Sequence, residues 1–111
     1  MGLFDMFKGS PTGDEISRED LDAALRGKTC ALIDVREPQE FASGHVSGAA
    51  NLPLSRFDAG QLPTDKPVVL ICRSGGRSAQ ALSRARAAGR QDVRHYRGGV
   101  MGWASAGGKL V

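Results

Sequence analysis

The chain is poor in the residues that mark several large classes of function. Aromatic side chains are 5% of its 111 residues, and none alternates with basic residues as a base-stacking platform requires, so no nucleic-acid partner is expected. No apolar run approaches the roughly 20 residues of a spanning helix. The opening, "MGLFDMFKGSPTGDE", carries acids and a lysine where a signal peptide needs a basic head and a long apolar stretch. It also has Met6 where an acylation signal needs serine or threonine. A cytoplasmic location without membrane association is therefore the default expectation. The only cysteines, Cys30 and Cys72, are too few for a disulfide framework. The only histidines, His45 and His95, stand apart, and no C-x-x-C pair accompanies them, so neither a metal nor another cofactor is implied.

What remains is an ordinary globular composition, 41% hydrophobic and 24% charged, at the length of a single domain. The net charge of +3 is mild, but seven arginines fall between Arg73 and Arg97, which suits a small anionic substrate. Residues 1–13 read as a flexible arm, because "GSPTG" breaks a briefly amphipathic start. The folded domain is expected at residues 14–111.

Ser17 is placed to N-cap a helix with Asp20 at its third position, and Ile16 and Leu21 have the spacing of a hydrophobic staple. That helix should run to Arg26 and stop at Gly27. "CALIDV", residues 30–35, reads as a strand covered on both faces. A short helix should follow, entered at Pro38 and capped near Gly44. "AANLPL" suggests a short strand and "SRFDAGQL" a weak helical turn. "KPVVLIC", residues 66–72, is the clearest buried strand, "RSAQALSRARAAG", residues 77–89, the clearest helix, and "DVRHY" returns to extended structure. Strands alternating with helices imply an α/β fold with a mainly parallel sheet and helices on both faces.

Cys72 ends the central apolar strand, where ligands of open α/β sheets bind. The next residues, "RSGGR", must turn the chain into a helix. Gly75 and Gly76 allow the backbone to curl so that successive N–H groups converge, and the helix adds its positive end. Such surroundings stabilise a thiolate, the reactive form of cysteine. Cys72 thus reads as a nucleophile. Cys30, with no basic neighbour nearer than Lys28, reads as packing. His45 is expected to serve as a hydrogen-bonding residue, Asp34 and Arg36 as a strand-end ion pair, and Trp103 as a core anchor.

With these residues in view, the chain resembles the rhodanese family of sulfurtransferases across about residues 15–108. "LIDVREPQEFASGHVSGAANLP" is similar to the family's first block, "VVLICRSGGRSAQAL" to its active-site block and "GRQDVRHYRGGVMGWASAG" to its closing segment. The resemblance implies a rhodanese-like fold of single-domain form. It implies that Cys72 carries transferred sulfur as a persulfide and that the amides of Arg73, Ser74, Gly75, Gly76, Arg77 and Ser78 cradle it. Arg73 and Arg77 would assist with an anionic donor such as thiosulfate, and cyanide or a thiol, a thioredoxin-like protein among them, would accept the sulfur. Sulfite leaves readily and the amides hold the charge, so no histidine base is expected nearby. Two alternatives stand beside this reading. Phosphatases and arsenate reductases share the fold, but their loops carry one residue more between nucleophile and arginine than Arg73, Ser74, Gly75 and Gly76 supply here. A non-catalytic rhodanese-like interaction module is the other, and such copies commonly lack the cysteine.

Overall fold

The computed structural model describes residues 13–111, so the expected arm lies, Gly13 excepted, outside the described residues. Helix α1 spans Arg18–Gly27. It opens as its sequence demands, with Ser17 Oγ accepting from the Asp20 amide at 3.0 Å. Ile16 and Leu21 are both buried in one apolar cluster. The end differs from expectation: Gly27 stays helical, and the left-handed cap is Lys28 at φ 55°. The Lys28 and Thr29 amides reach back to Leu25 and Ala24, and these bonds offset the 1–2 kcal/mol or so that a non-glycine residue loses in that region.

Strand β1 (Ala31–Asp34), helix α2 (Pro38–Ala42) and strand β2 (Ala50–Asn51) follow. The weak helical turn expected next is two separate 3-10 turns, Leu54–Arg56 and Ala59–Gln61. Then come β3 (Val68–Ile71), α3 (Gly76–Ala87), β4 (Val93–His95) and α4 (Gly99–Ser105). All pairings are parallel, in the order β2-β1-β3-β4. The register sets Leu32 beside Val69 and Leu70 beside His95.

Strand alternation splits the core in two. Val68, Leu70 and Cys72 face one way, against Ala81, Leu82 and Ala85 of α3. Val69 and Ile71 face the other way, against Leu21 of α1 and Val100 and Trp103 of α4. The buried α3 positions Ser78, Ala81, Leu82 and Ala85 recur at one helical face. Full burial of residues such as Leu70 and Ile71 contributes about 1.5–3 kcal/mol each. Covered faces on both sides are what confine this sheet to apolar strands.

One feature at the carboxyl end of the sheet corrects the sequence reading. Ile71, not Cys72, is the last residue of β3, because the Cys72 carbonyl accepts from the Val100 amide at 2.8 Å instead of from a neighbouring strand. The segment "GVMGWAS" beside it forms α4, although its glycines make it a poor helix in isolation. Burial of Val100 and Trp103 stabilises that helix in place.

Candidate active site

Chain reversal after β3 puts the Cys72 sulfur inside a tight curl. Gly75 adopts φ +103° and caps α3, and its amide donates to Cys72 Sγ at 3.1 Å. Ser78, on the first turn of α3, lies with Oγ 3.5 Å from the same sulfur. The cysteine is free and 1% exposed. Burial pushes the thiol up, but the Ser78 hydroxyl and the amides of Ser78, Gly75 and Ser74 outweigh it, so the net shift is downward. A sulfur anion is favoured because the backbone amides already point at it and need no rearrangement.

Helix α4 sets the direction of those donors. Its Val100 and Met101 amides hold the carbonyls of Cys72 and Arg73, at 2.8 and 3.1 Å. With those carbonyls pinned outward, the peptide planes that follow present their N–H groups to the sulfur. The fit is close. A Cβ on Gly99, at φ +69°, would collide with the Arg73 carbonyl oxygen, and one on Gly75 would lie 2.5 Å from the Arg97 carbonyl oxygen.

The two arginines of the loop have different surroundings. Arg73 is exposed, and its guanidinium makes no hydrogen bond or ion pair among the described residues. Arg77 is half-buried and donates to both oxygens of Glu40 on α2, at 2.6 and 3.0 Å. That pairing draws the Glu40 carboxyl down to about 2 and raises Arg77. Glu40 also completes a capping box with Glu37, so the ion pair ties the start of α3 to a well-formed helix end. Ser74 and Gly76 are exposed at the rim, and Gly75 and Ser78 are buried.

Beneath the loop, Arg36 and Asp34 form a buried fork, with Arg36 Nε and Nη2 donating at 2.8–3.1 Å. Arg36 Nη2 also reaches the Gly44 carbonyl at 2.8 Å, the loop-fixing arrangement expected of the pair. His45 stacks on Phe41 at 3.8 Å and bonds its carbonyl through Nδ1 at 2.9 Å, a hydrogen-bonding role in a half-buried setting. Trp103 is 6% exposed and anchors α4, with the Arg18 guanidinium 4.6 Å from its ring. Cys30 is half-buried at the start of β1, and burial pushes its thiol up against the smaller opposing effects of Arg94 and Lys66.

One residue near the sulfur escapes sequence reasoning. His95 Nδ1 lies 2.8 Å from Ser78 Oγ, two hydrogen bonds from Cys72 Sγ. The expectation that no histidine stands near the cysteine is corrected. Sequence carries one signal of it: His95 closes the extended segment that follows the Cys72 strand and its helix, and adjacent parallel strands end side by side.

A model of the rhodanese-like domain family matches residues 17–106. A sulfurtransferase of Allochromatium vinosum is 36% identical over 88% of this chain and 94% of its own length. A probable adenylyltransferase/sulfurtransferase of Mycobacterium tuberculosis is 41% identical over 87% of this chain and 25% of its own length. Against some curated relatives the chain thus spans only 25% to 58% of their length. The structure of a human single-domain sulfurtransferase superposes with a TM-score of 0.75 at 30% identity, covering 87% of this chain and 97% of that one.

Proposed function

This chain belongs to the rhodanese-like domain family, and from that premise we propose that it moves sulfane sulfur through a persulfide on Cys72. The donor is thiosulfate or a related anion, and the acceptor is cyanide or a thiol. One observation carries the reading: a free, buried sulfur whose thiol is shifted downward by the Ser78 hydroxyl and three converging amides.

The Cys72 thiolate attacks the outer sulfur of thiosulfate, and the sulfur–sulfur bond of the donor breaks as sulfite leaves with its electron pair. The terminal sulfur of the persulfide then occupies the mouth of the curl, where the amides of Arg73 to Ser78 are the available donors. Cyanide or an acceptor thiolate attacks that terminal sulfur, and the Cys72 thiolate departs to restore the starting state. Arg73, exposed and unpaired among the described residues, supplies positive charge toward a dianionic donor. Arg77 supplies charge from farther off while its guanidinium holds Glu40.

An acceptor protein, for which a thioredoxin-like thiol is the simplest chemistry, would approach over exposed Arg73, Ser74 and Met101. The four-residue interval from Cys72 to Arg77 favours a sulfur atom over a tetrahedral oxyanion. Free cysteines suit a reducing compartment, and we place the protein in the cytoplasm. No helix among the described residues is long and apolar enough to cross a membrane. We assign the catalytic domain to residues 14–111 and the arm to residues 1–13.

Intact mass spectrometry tests the reaction. Incubation with thiosulfate should add one sulfur atom, mapping to Cys72, and cyanide should remove it. Aryl-phosphate turnover without any cyanide-removable sulfur would transfer the assignment to the oxyanion enzymes of the same fold.

A further inference from the structure

Sulfur transfer as written leaves a buried titratable side chain unused. His95, the last residue of β4, is 6% exposed. Ser78 Oγ sits between it and the cysteine, 2.8 Å from His95 Nδ1 and 3.5 Å from Cys72 Sγ. The Gly75 carbonyl, at 3.2 Å, is the third neighbour of that hydroxyl. A serine hydroxyl has a single proton to donate. It cannot serve the imidazole and the sulfur together, so the state of one end of the chain dictates the state of the other.

We propose that His95 is a positioning residue that accepts the Cys72 proton through Ser78, so that the thiolate forms together with an Nδ1-protonated imidazole. In the thiol state, Cys72 S–H points at Ser78 Oγ, Ser78 O–H points at the His95 Nδ1 lone pair, and the imidazole carries its proton on Nε2. In the thiolate state, the Cys72 S–H bond has broken and its proton is on Ser78 Oγ. The former Ser78 proton is then on His95 Nδ1. The serine hydroxyl has turned to donate to sulfur, and Nδ1–H donates to the serine oxygen. One negative and one positive charge appear together, so the buried site stays neutral overall and the thiolate is spared an unpaired charge in a dry place.

The surroundings of the ring act on that exchange in opposite directions, with burial the larger effect. Burial lowers the basicity of His95, with Arg97 acting in the same direction, while Glu15 and Asp14 oppose them. The ring is thereby neutral at rest, with Nδ1 open to accept. Asp14 and Glu15 come from the segment before α1, whose backbone pairs with His95. With Ser83 and Arg86 of α3 they line a groove of about 340 Å³ that His95 borders. Arg86 is occupied by Asp14 and by the Gly13 and Val93 carbonyls, and Arg97 stands 3.7 Å from Glu15. Asp14 and Glu15, each paired with an arginine, thus put partly offset negative charge on the groove that the ring borders.

The proposal rests on the function above only in taking Cys72 as the nucleophile. Its test reads ionisation and not sulfur transfer, so a protein that ionises as described yet carries no sulfur would remove the function and leave the relay standing. In the full chain with Cys30→Ser, imidazole 15N spectra and thiolate absorbance should be followed together against pH. Because the proton moves within the site, the exchange itself is independent of pH: a protonated His95 Nδ1 resonance and thiolate absorbance should be present together wherever the pair holds a single titratable proton, and the Nδ1 proton should be lost at higher pH while the thiolate persists. The Nδ1-protonated signal in that range should vanish when Cys72 is capped with methyl methanethiosulfonate and in Ser78→Ala. His95→Phe should raise the midpoint of Cys72 alkylation by about one pH unit, a tenfold loss of thiolate below it. His95→Asn, which keeps a group that both donates and accepts, should restore most of the difference. A His95 spectrum identical before and after capping would overturn the proposal whether or not the phenylalanine variant folds. So would an unchanged alkylation midpoint in a folded His95→Phe protein.

Discussion

The two cysteines stand at opposite ends of neighbouring parallel strands and have opposite chemistry. Cys30 precedes β1, where the chain arrives from the end of α1, and burial pushes its thiol up with no hydrogen bond to offset it. Cys72 follows β3, where the chain turns into the start of α3, and its hydrogen bonds drive the thiol down in spite of deeper burial. In a parallel sheet the carboxyl ends of strands lead into helix N-termini, which offer unpaired N–H groups, and the amino ends receive helix C-termini, which offer carbonyls. The direction in which each thiol is shifted therefore follows the polarity of the strand more than the identity of the residue.

The sharpest way to break this comparison is to exchange the roles of the two sulfurs. Cys72→Ser should abolish sulfur loading and turnover, while Cys30→Ser should leave both near the unmodified level. Retained loading in folded Cys72→Ser would defeat the comparison at once.

Disturbing the curl while keeping the cysteine comes next. Gly99→Ala forces a side chain into the Arg73 carbonyl at a left-handed position, misaligning the donors, and turnover should fall about a hundredfold, the scale of losing an oxyanion-hole donor. Circular dichroism and a thermal melt would show whether the fold survives. Normal turnover in a folded Gly99→Ala protein would mean that α4 does not set the donors.

A gentler separation is pH. Only the thiolate alkylates, and a lowered thiol keeps its thiolate to lower pH whereas a raised one gains it only at higher pH. Iodoacetamide labelling, read residue by residue from peptides, should thus give Cys72 a midpoint below the ordinary thiol range near 8.5 and Cys30 one above it. Coincident midpoints would erase the distinction.

The smallest effects should come from the charges at the rim. Arg73→Ala should slow the reaction with thiosulfate about fivefold, the scale of an exposed ion pair, and spare a neutral donor. Glu40→Gln should act on stability instead. The Glu40 carboxyl is lowered to about 2, so its contribution is present above the ordinary carboxylate range and is lost as pH falls from there toward 2. A melting temperature equally pH-dependent in the variant over that window would show the ion pair to be idle.

Much of this arrangement is legible along the chain. Ser17 and Asp20 announce α1, Pro38 opens α2, the two apolar runs make the central strands, and the glycines after Cys72 mark the curl. Each is decided within a few residues by φ preference, capping or alternation. One local expectation misses by a single residue: Lys28, not Gly27, takes the left-handed position that ends α1, held by amide bonds to Leu25 and Ala24. Distant neighbours decide the rest: α4 forms because Val100 and Trp103 find a sheet to cover. Arg77 meets Glu40 across 37 positions of chain, a pairing that no local pattern signals.

The amino-acid sequence alone determined α1, α2, α3, the central strands, the two-sided core and the glycine curl after Cys72, since hydrophobic period, capping and glycine conformation act over one or two turns of backbone. Only the tertiary structure decided what surrounds the sulfur. The register of β3 against β4 brings His95 to Ser78, and the packing of α4 turns the Cys72 and Arg73 carbonyls away. Both depend on how whole faces of the sheet are covered, a condition met by all the elements together and encoded in no single segment.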